Sequence, residues 1–455
     1  MTRKLLKKVA EAPAVALEQS INTSRRLVKA FRNQKEVVKA RSYWKTLGPG
    51  LTTGAADDDP SGIATYSQAG AGYGFNFLWT AAFTFPFMAI VQEMCARIGL
   101  VTGRGLAGSI RLFFPKWVLY TCTLLLFAAN SLNIGADLGA MSKATQLLYP
   151  NFNFEFLVLA FALFSLALQI FTTYEKYAKY LKWLALVLLA YVFSALSANL
   201  NFEEIAMNAV LPSIKFSKDQ IFMITAILGT TISPYLFFWQ TSQEVEEQIL
   251  GGRTTLKLRE GATDKEISDM RLDVWSGMFL SNLVMFFIIA ACGAILFPAG
   301  ITTITSAGQA AEALRPFAGD FSYLLFAVGI IGTGLLAIPI LAGSASYALS
   351  ESFGWKSGLY RKLKEANAFY GTIIISTLIG LGINFIGFDP IKTLIYSAVI
   401  NGLIAPVILV LIILLSNSKK VMGERVNNPA ITALGWFITL VMIVAGAATI
   451  SSLLP

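Results

Sequence analysis

The chain has 455 residues, of which 55% are hydrophobic and only 14% charged, with mean hydropathy +0.62 and a formal net charge of +9. No water-soluble core of this size hides so much apolar side chain, so the composition excludes a soluble globular protein. The lack of any histidine excludes His-ligated zinc and histidine acid–base catalysis.

Residues 1–46 hold twelve Lys/Arg and three Glu around no apolar segment. They do not match a secretory signal peptide. They read as a basic cytoplasmic arm, either an amphipathic helix on the lipid surface or an unstructured tail. Apolar segments between charged loops then predict eleven helical spans, near 47–71, 75–99, 117–140, 154–172, 180–199, 219–243, 274–297, 321–348, 368–387, 391–416 and 430–453. Runs such as 183–200, 274–299 and 394–416 are long enough to cross a bilayer, which takes roughly 20 residues. With the N-terminus in the cytoplasm, all but five of the 36 basic residues fall on that side. The five are Lys143, Lys215, Lys218, Arg315 and Lys392. That asymmetry orients the chain N-inside in a cytoplasmic membrane. It also accounts for the net charge without a nucleic-acid partner. Cys95, Cys122 and Cys292 all lie in predicted spans, which suits free, packed thiols.

Two spans do not read as continuous helices. The first contains Asp57-Asp58-Asp59-Pro60, and each ionised carboxylate at bilayer depth costs roughly 3 kcal/mol or more. Such a cost is tolerable where the carboxylates face a water-filled cavity or a cation. Pro60 removes a helical N–H, and Gly54 and Gly62 loosen the helix on either side. Successive helical residues point about 100° apart, so at most two of the three aspartates face one site, and the others line an entry vestibule. The sixth span reads Gly229-Thr230-Thr231-Ile232-Ser233-Pro234, again a proline among glycine and hydroxyls. Interrupted spans in corresponding positions of two halves point to a transport site at a repeat interface. The organisation expected is residues 47–200 as one inverted repeat, 219–416 as the other, and 430–453 as an added span. A proline kink by itself is the plainer reading of either break.

The segment Gly48 to Gly74, the run Val91 to Ala107 and the sixth-span motif together resemble the NRAMP family of divalent-metal transporters. The first-span motif of that family, Asp-Pro-Gly-Asn, appears here as Asp59-Pro60-Ser61-Gly62, and the similarity runs through the first ten spans. The resemblance implies an all-α, leucine-transporter-like fold of two inverted five-helix repeats. It implies a metal site with the carboxylate of Asp59, the carbonyls of Ala56 and Thr230, and positions Gly62 and Ser233 in place of the family's asparagine and methionine. Asp58 is a further candidate ligand. Losing a thioether hardens the site toward Mg²⁺, Ca²⁺ and Mn²⁺. Gly62 widens the pocket, which suits a partly hydrated Mg²⁺. The resemblance is therefore to the magnesium-carrying branch, with Mn²⁺ also carried. Tyr235 stands where the family has a histidine, and Asn130 and Asn133 where it has third-span acids. These apparent losses imply transport without proton coupling, although Asp137 remains a possible relay.

Other polar residues invite local readings. Gln92 and Glu93 line the inner exit, or Glu93 pairs with Arg97 one turn on. Asn282 and Asn401 make interhelical hydrogen bonds or reach the cavity. Residues 244–273 read as a solvated cytoplasmic linker helix. The rival functions are a proton-coupled Mn²⁺ or transition-metal importer and a cation-coupled organic-solute symporter of the same fold. An intramembrane aspartyl protease lacks its Gly-x-Gly-Asp partner, so the chain reads as no enzyme. No cofactor is implied, and the partners are the transported ion and the lipid bilayer.

Overall fold

The computed structural model describes residues 48–172, 186–198, 201–215 and 217–453. The basic arm, the 176–182 loop and the beginning of the fifth span lie outside the described residues. The principal helices are α1 (Pro49–Asp57), α2 (Pro60–Tyr73), α3 (Leu78–Thr102), α4 (Lys116–Leu148), α5 (Phe154–Phe171), α6 (Leu189–Ser197), α7 (Lys218–Thr231), α8 (Pro234–Leu250), α9 (Asp264–Ile295), α10 (Ser322–Phe353), α11 (Asn367–Ile383), α12 (Pro390–Asn417) and α13 (Pro429–Leu453). No strand occurs among the described residues.

Eight helical stretches are long and apolar enough to cross a bilayer, and α11 adds a shorter one. The expected first span is two short helices, α1 and α2, interrupted at Asp58 and Asp59. The sixth span is likewise α7 and α8, interrupted at Ile232 and Ser233. Both breaks have one cause. Pro60 and Pro234 each occupy the first turn of the following helix, where proline's missing N–H and fixed φ are tolerated. The preceding helix cannot continue through them.

The broken helices are enclosed by long continuous ones. α9 packs along α1, α2 and α3, α7 packs on α12, and α4 lies against α10, α11 and α12. Glycines permit the closest of these approaches. A Cβ on Gly54 would lie 2.3 Å from the Gly277 carbonyl oxygen, and one on Gly277 would lie 2.1 Å from the Gly50 carbonyl oxygen. Gly54 therefore serves the α1–α9 contact, a role that the sequence did not show. On the outside, Leu163, Phe164, Phe171 and Leu440 are exposed, as a lipid-facing surface requires.

Two local expectations are corrected. Glu93 does not pair with Arg97. Its carboxylate accepts from Arg271 at 2.9 Å and from the Trp275 indole at 2.8 Å, while Arg97 donates to Asn427. The linker is also shorter than 244–273. α8 runs to Leu250 and α9 starts at Asp264 behind a Thr263–Glu266 capping box. At about 1.5 Å per residue α9 is roughly 48 Å long, so it extends well beyond a hydrocarbon core of about 30 Å. Glu244 and Glu246 are buried, and Glu246 accepts from the Tyr347 hydroxyl at 2.6 Å and the Leu359 N–H at 2.9 Å. The three cysteines are free and buried, as expected.

Candidate cation site

The two breaks leave the last carbonyls of α1 and α7 without helical partners, since no N–H follows in register. Their partners define the site. The Ala56 carbonyl accepts from the Tyr235 hydroxyl at 3.0 Å, which joins the first break to the second. The Ser233 hydroxyl lies 2.7 Å from the Gly229 carbonyl oxygen and 2.8 Å from that of Thr230. Ser233 thus caps α7 in this conformation, and its hydroxyl hydrogen is used locally.

Asp59 is buried, and its two carboxylate oxygens have different work. Oδ1 caps α2, accepting from the Gly62 N–H at 2.7 Å and the Ser61 hydroxyl at 2.6 Å. Oδ2 faces across to α4, accepting from Asn133 Nδ2 at 2.9 Å, and the Tyr235 hydroxyl stands 3.5 Å away. Gly62 therefore contributes a backbone donor. It does not widen the pocket here, because a Cβ at this position would lie 3.1 Å from the Asp57 carbonyl oxygen and 3.2 Å from Thr230 Oγ1.

The neighbouring aspartates turn the other way. The Ser281 hydroxyl on α9 donates to Asp57 Oδ2 at 2.7 Å and lies 3.3 Å from Asp58 Oδ1. A serine carries one hydroxyl proton, so it serves one of these carboxylates at a time. Asp57 and Asp58 are 1% and 4% exposed, which replaces the expected open vestibule with a closed pair against α9.

The third-span positions separate. Asn130 donates to the Leu341 carbonyl at 2.8 Å and the Ser344 hydroxyl at 2.7 Å, tying α4 to α10 away from Asp59. Asn133 lies on the site, and its amide also donates to Asp137 Oδ2 at 3.4 Å. Asp137, fully buried, is the residue that sequence reasoning undervalued. The i, i+4 spacing from Asn133 was the available signal. On α12, the backbones of Ala398 and Gly402 press on Gly229, so Ala398 is a packing position. Asn282 follows the interhelical reading, accepting from Thr84 at 3.0 Å. No group of three acidic, histidine or cysteine side chains forms a metal cage among the described residues.

An all-helical bundle in which two broken spans meet at a buried carboxylate defines a multi-pass membrane transporter. The family model described as natural resistance-associated macrophage protein-like (Nramp) matches residues 50–452, and the chain belongs to that family. Solved structures share the architecture. An Eremococcus coleocola manganese transporter in complex with an aromatic bis-isothiourea substituted compound aligns with a TM-score of 0.72 at 17% identity, covering 90% of this chain and 88% of that one. Mhp1, a nucleobase-cation-symport-1 family transporter, in a closed conformation with bromovinylhydantoin bound, aligns at 0.53 and 14% identity, covering 89% and 91%. The fold is leucine-transporter-like, as the sequence implied.

Proposed function

We propose that this chain moves divalent cations into the cytoplasm by alternating access, Mg²⁺ preferred and Mn²⁺ also carried, without proton coupling. The observation that carries the reading is the buried Asp59 carboxylate between two helix breaks, with the Gly62 N–H, the Asn133 amide, the Tyr235 hydroxyl and the Ala56 carbonyl around it. Hard oxygen donors suit Mg²⁺, which keeps several waters and needs few protein ligands. In this reading the ion takes Asp59 Oδ2 and the Ala56 and Thr230 carbonyls. Ser233 swings from its capping role, Gly62 holds the carboxylate by its N–H, and Asp58 adds negative charge beside the ion. Residues 47–200 and 219–416 act as the two repeats.

The membrane is the cytoplasmic one with the N-terminus inside, supported by the distribution of basic residues. A dication gains about 4.6 kcal/mol per 100 mV on moving inward, twice the single-charge value, so membrane potential alone can drive accumulation. Uncoupled movement is supported by Tyr235, Asn130 and Asn133, none of which exchanges protons near neutral pH. A manganese-carrying neighbour of the same fold favours Mn²⁺ import as the second reading. Proteoliposomes holding trapped magnesium- and pH-sensitive dyes test both under an inside-negative potential. Mg²⁺ entry without acidification is the expected result. Entry of Mn²⁺ alone, with acidification, supports the second reading and overturns the first.

A further inference from the structure

We propose that the third span completes the cation site, with the Asn133 amide oxygen and the Asp137 carboxylate binding the ion alongside Asp59. The inference rests on the reading of Asp59 as the cation carboxylate and extends it to α4.

Three observations meet here. Asn133 and Asp137 are both 0% exposed. The Asn133 Nδ2 lies 2.9 Å from Asp59 Oδ2 and 3.4 Å from Asp137 Oδ2, so one amide bridges two carboxylates from different spans. Asn133 Oδ1 and Asp137 Oδ1 are buried atoms with no hydrogen-bond partner among the described residues. Buried polar atoms are nearly always satisfied, so each unmet acceptor calls for an ion or a water as its partner.

The chemistry of asparagine supplies the switch. Its terminal torsion is broad and roughly two-fold, so a half-turn exchanges Oδ1 for Nδ2 at little cost. With the nitrogen inward, the amide holds the two carboxylates together by hydrogen bonds. With the oxygen inward, it becomes a ligand between them. The amide oxygen that Gly62 does not offer from the first span thus comes from the third. Charge favours the same occupant. Two carboxylates and a dication sum to zero in a low-dielectric interior, whereas a monovalent ion leaves one negative charge uncompensated. Asp57 and Asp58, held by the Ser281 hydroxyl on α9, stand beside this pair and make the break more negative still, which favours a dication further.

The test is Mg²⁺ uptake into proteoliposomes by the full chain, comparing Asn133→Leu, Asn133→Asp and Asp137→Asn with Asp59→Asn. Loss of either third-span group is expected to raise the half-saturating Mg²⁺ concentration at least tenfold. Asn133→Asp, which keeps an oxygen acceptor, is expected to stay within a few-fold of the parent. A purely structural role lowers the ion-free melting temperature and leaves half-saturation unchanged. Where Asn133→Leu melts early, Asn133→Ala replaces it under the same tenfold criterion. Half-saturation within twofold of the parent for Asn133→Leu and Asp137→Asn, with uptake abolished by Asp59→Asn, overturns the inference alone. No dication uptake by the parent chain overturns the reading of Asp59 on which it rests.

Discussion

Asp273, on α9, holds the N-terminus of α1. Its carboxylate accepts from the Gly50 N–H at 2.6 Å and the Leu51 N–H at 3.0 Å, and it is 2% exposed. The first N–H groups of a helix have no partner within it, and a carboxylate there also meets the positive end of the helix dipole. α1 is only nine residues long, too short to be stable alone, so its position depends on such tertiary contacts. A charge-assisted hydrogen bond contributes about 1.5–3 kcal/mol, and two on one carboxylate do not add fully. Removing both by Asp273→Ala is expected to weaken the hold on α1 by about 2–3 kcal/mol. At about 1.4 kcal/mol per tenfold, local opening becomes roughly 30- to 140-fold more frequent. Asp273→Asn keeps one acceptor oxygen and is expected to give about half that free-energy change. The assay is hydrogen exchange of the peptide spanning 49–57 in the purified protein, where exchange reports the population of the open form. Faster exchange confined to this peptide and its contacts supports the reasoning. Unchanged exchange at 49–57 in Asp273→Ala refutes it.

Gly277→Ala places a Cβ 2.1 Å from the Gly50 carbonyl oxygen. It should separate α1 from α9 at a cost of about 1–3 kcal/mol, giving the same exchange signature as Asp273→Ala. Ser281→Ala removes the hydroxyl shared by Asp57 and Asp58. Leaving buried acceptors unmet costs about 1–3 kcal/mol, to be read as a lower melting temperature. Tyr235→Phe deletes the donor to the Ala56 carbonyl, worth about 0.5–1.5 kcal/mol. A change of about two- to tenfold in half-saturating Mg²⁺ is the expected result of kinetic uptake measurements.

The helix breaks were legible in the sequence because their cause is local. Pro60 and Pro234 interrupt a hydrogen-bond ladder wherever they stand. The direction of each aspartate was not legible, because it is set by distant partners, Asn133 on α4 for Asp59 and Ser281 on α9 for Asp57 and Asp58. Glu93 was assigned to Arg97 by helical spacing, whereas its partners, Arg271 and Trp275, lie on α9, 178 and 182 residues away. Residues 244–250 looked like a solvated loop because their acids break the apolar pattern. Glu246 is buried only because α10 brings Tyr347 to it. Gly54 and Gly277 look alike in sequence to any helix-loosening glycine, and only the crossing of α1 on α9 gives them their role. Asn133 and Asn130 are three residues apart on one helix, yet only Asn133 turns to Asp59.

The most direct test of the account uses Asp59→Asn, because asparagine keeps the oxygen that caps α2 while removing the charge. Uptake of Mg²⁺, Mn²⁺ and Ca²⁺ into proteoliposomes under an inside-negative potential is compared between this variant and the parent chain. The account expects the parent to carry Mg²⁺, and Mn²⁺ less strongly, and the variant to carry neither. Undiminished Mg²⁺ uptake by Asp59→Asn would contradict it.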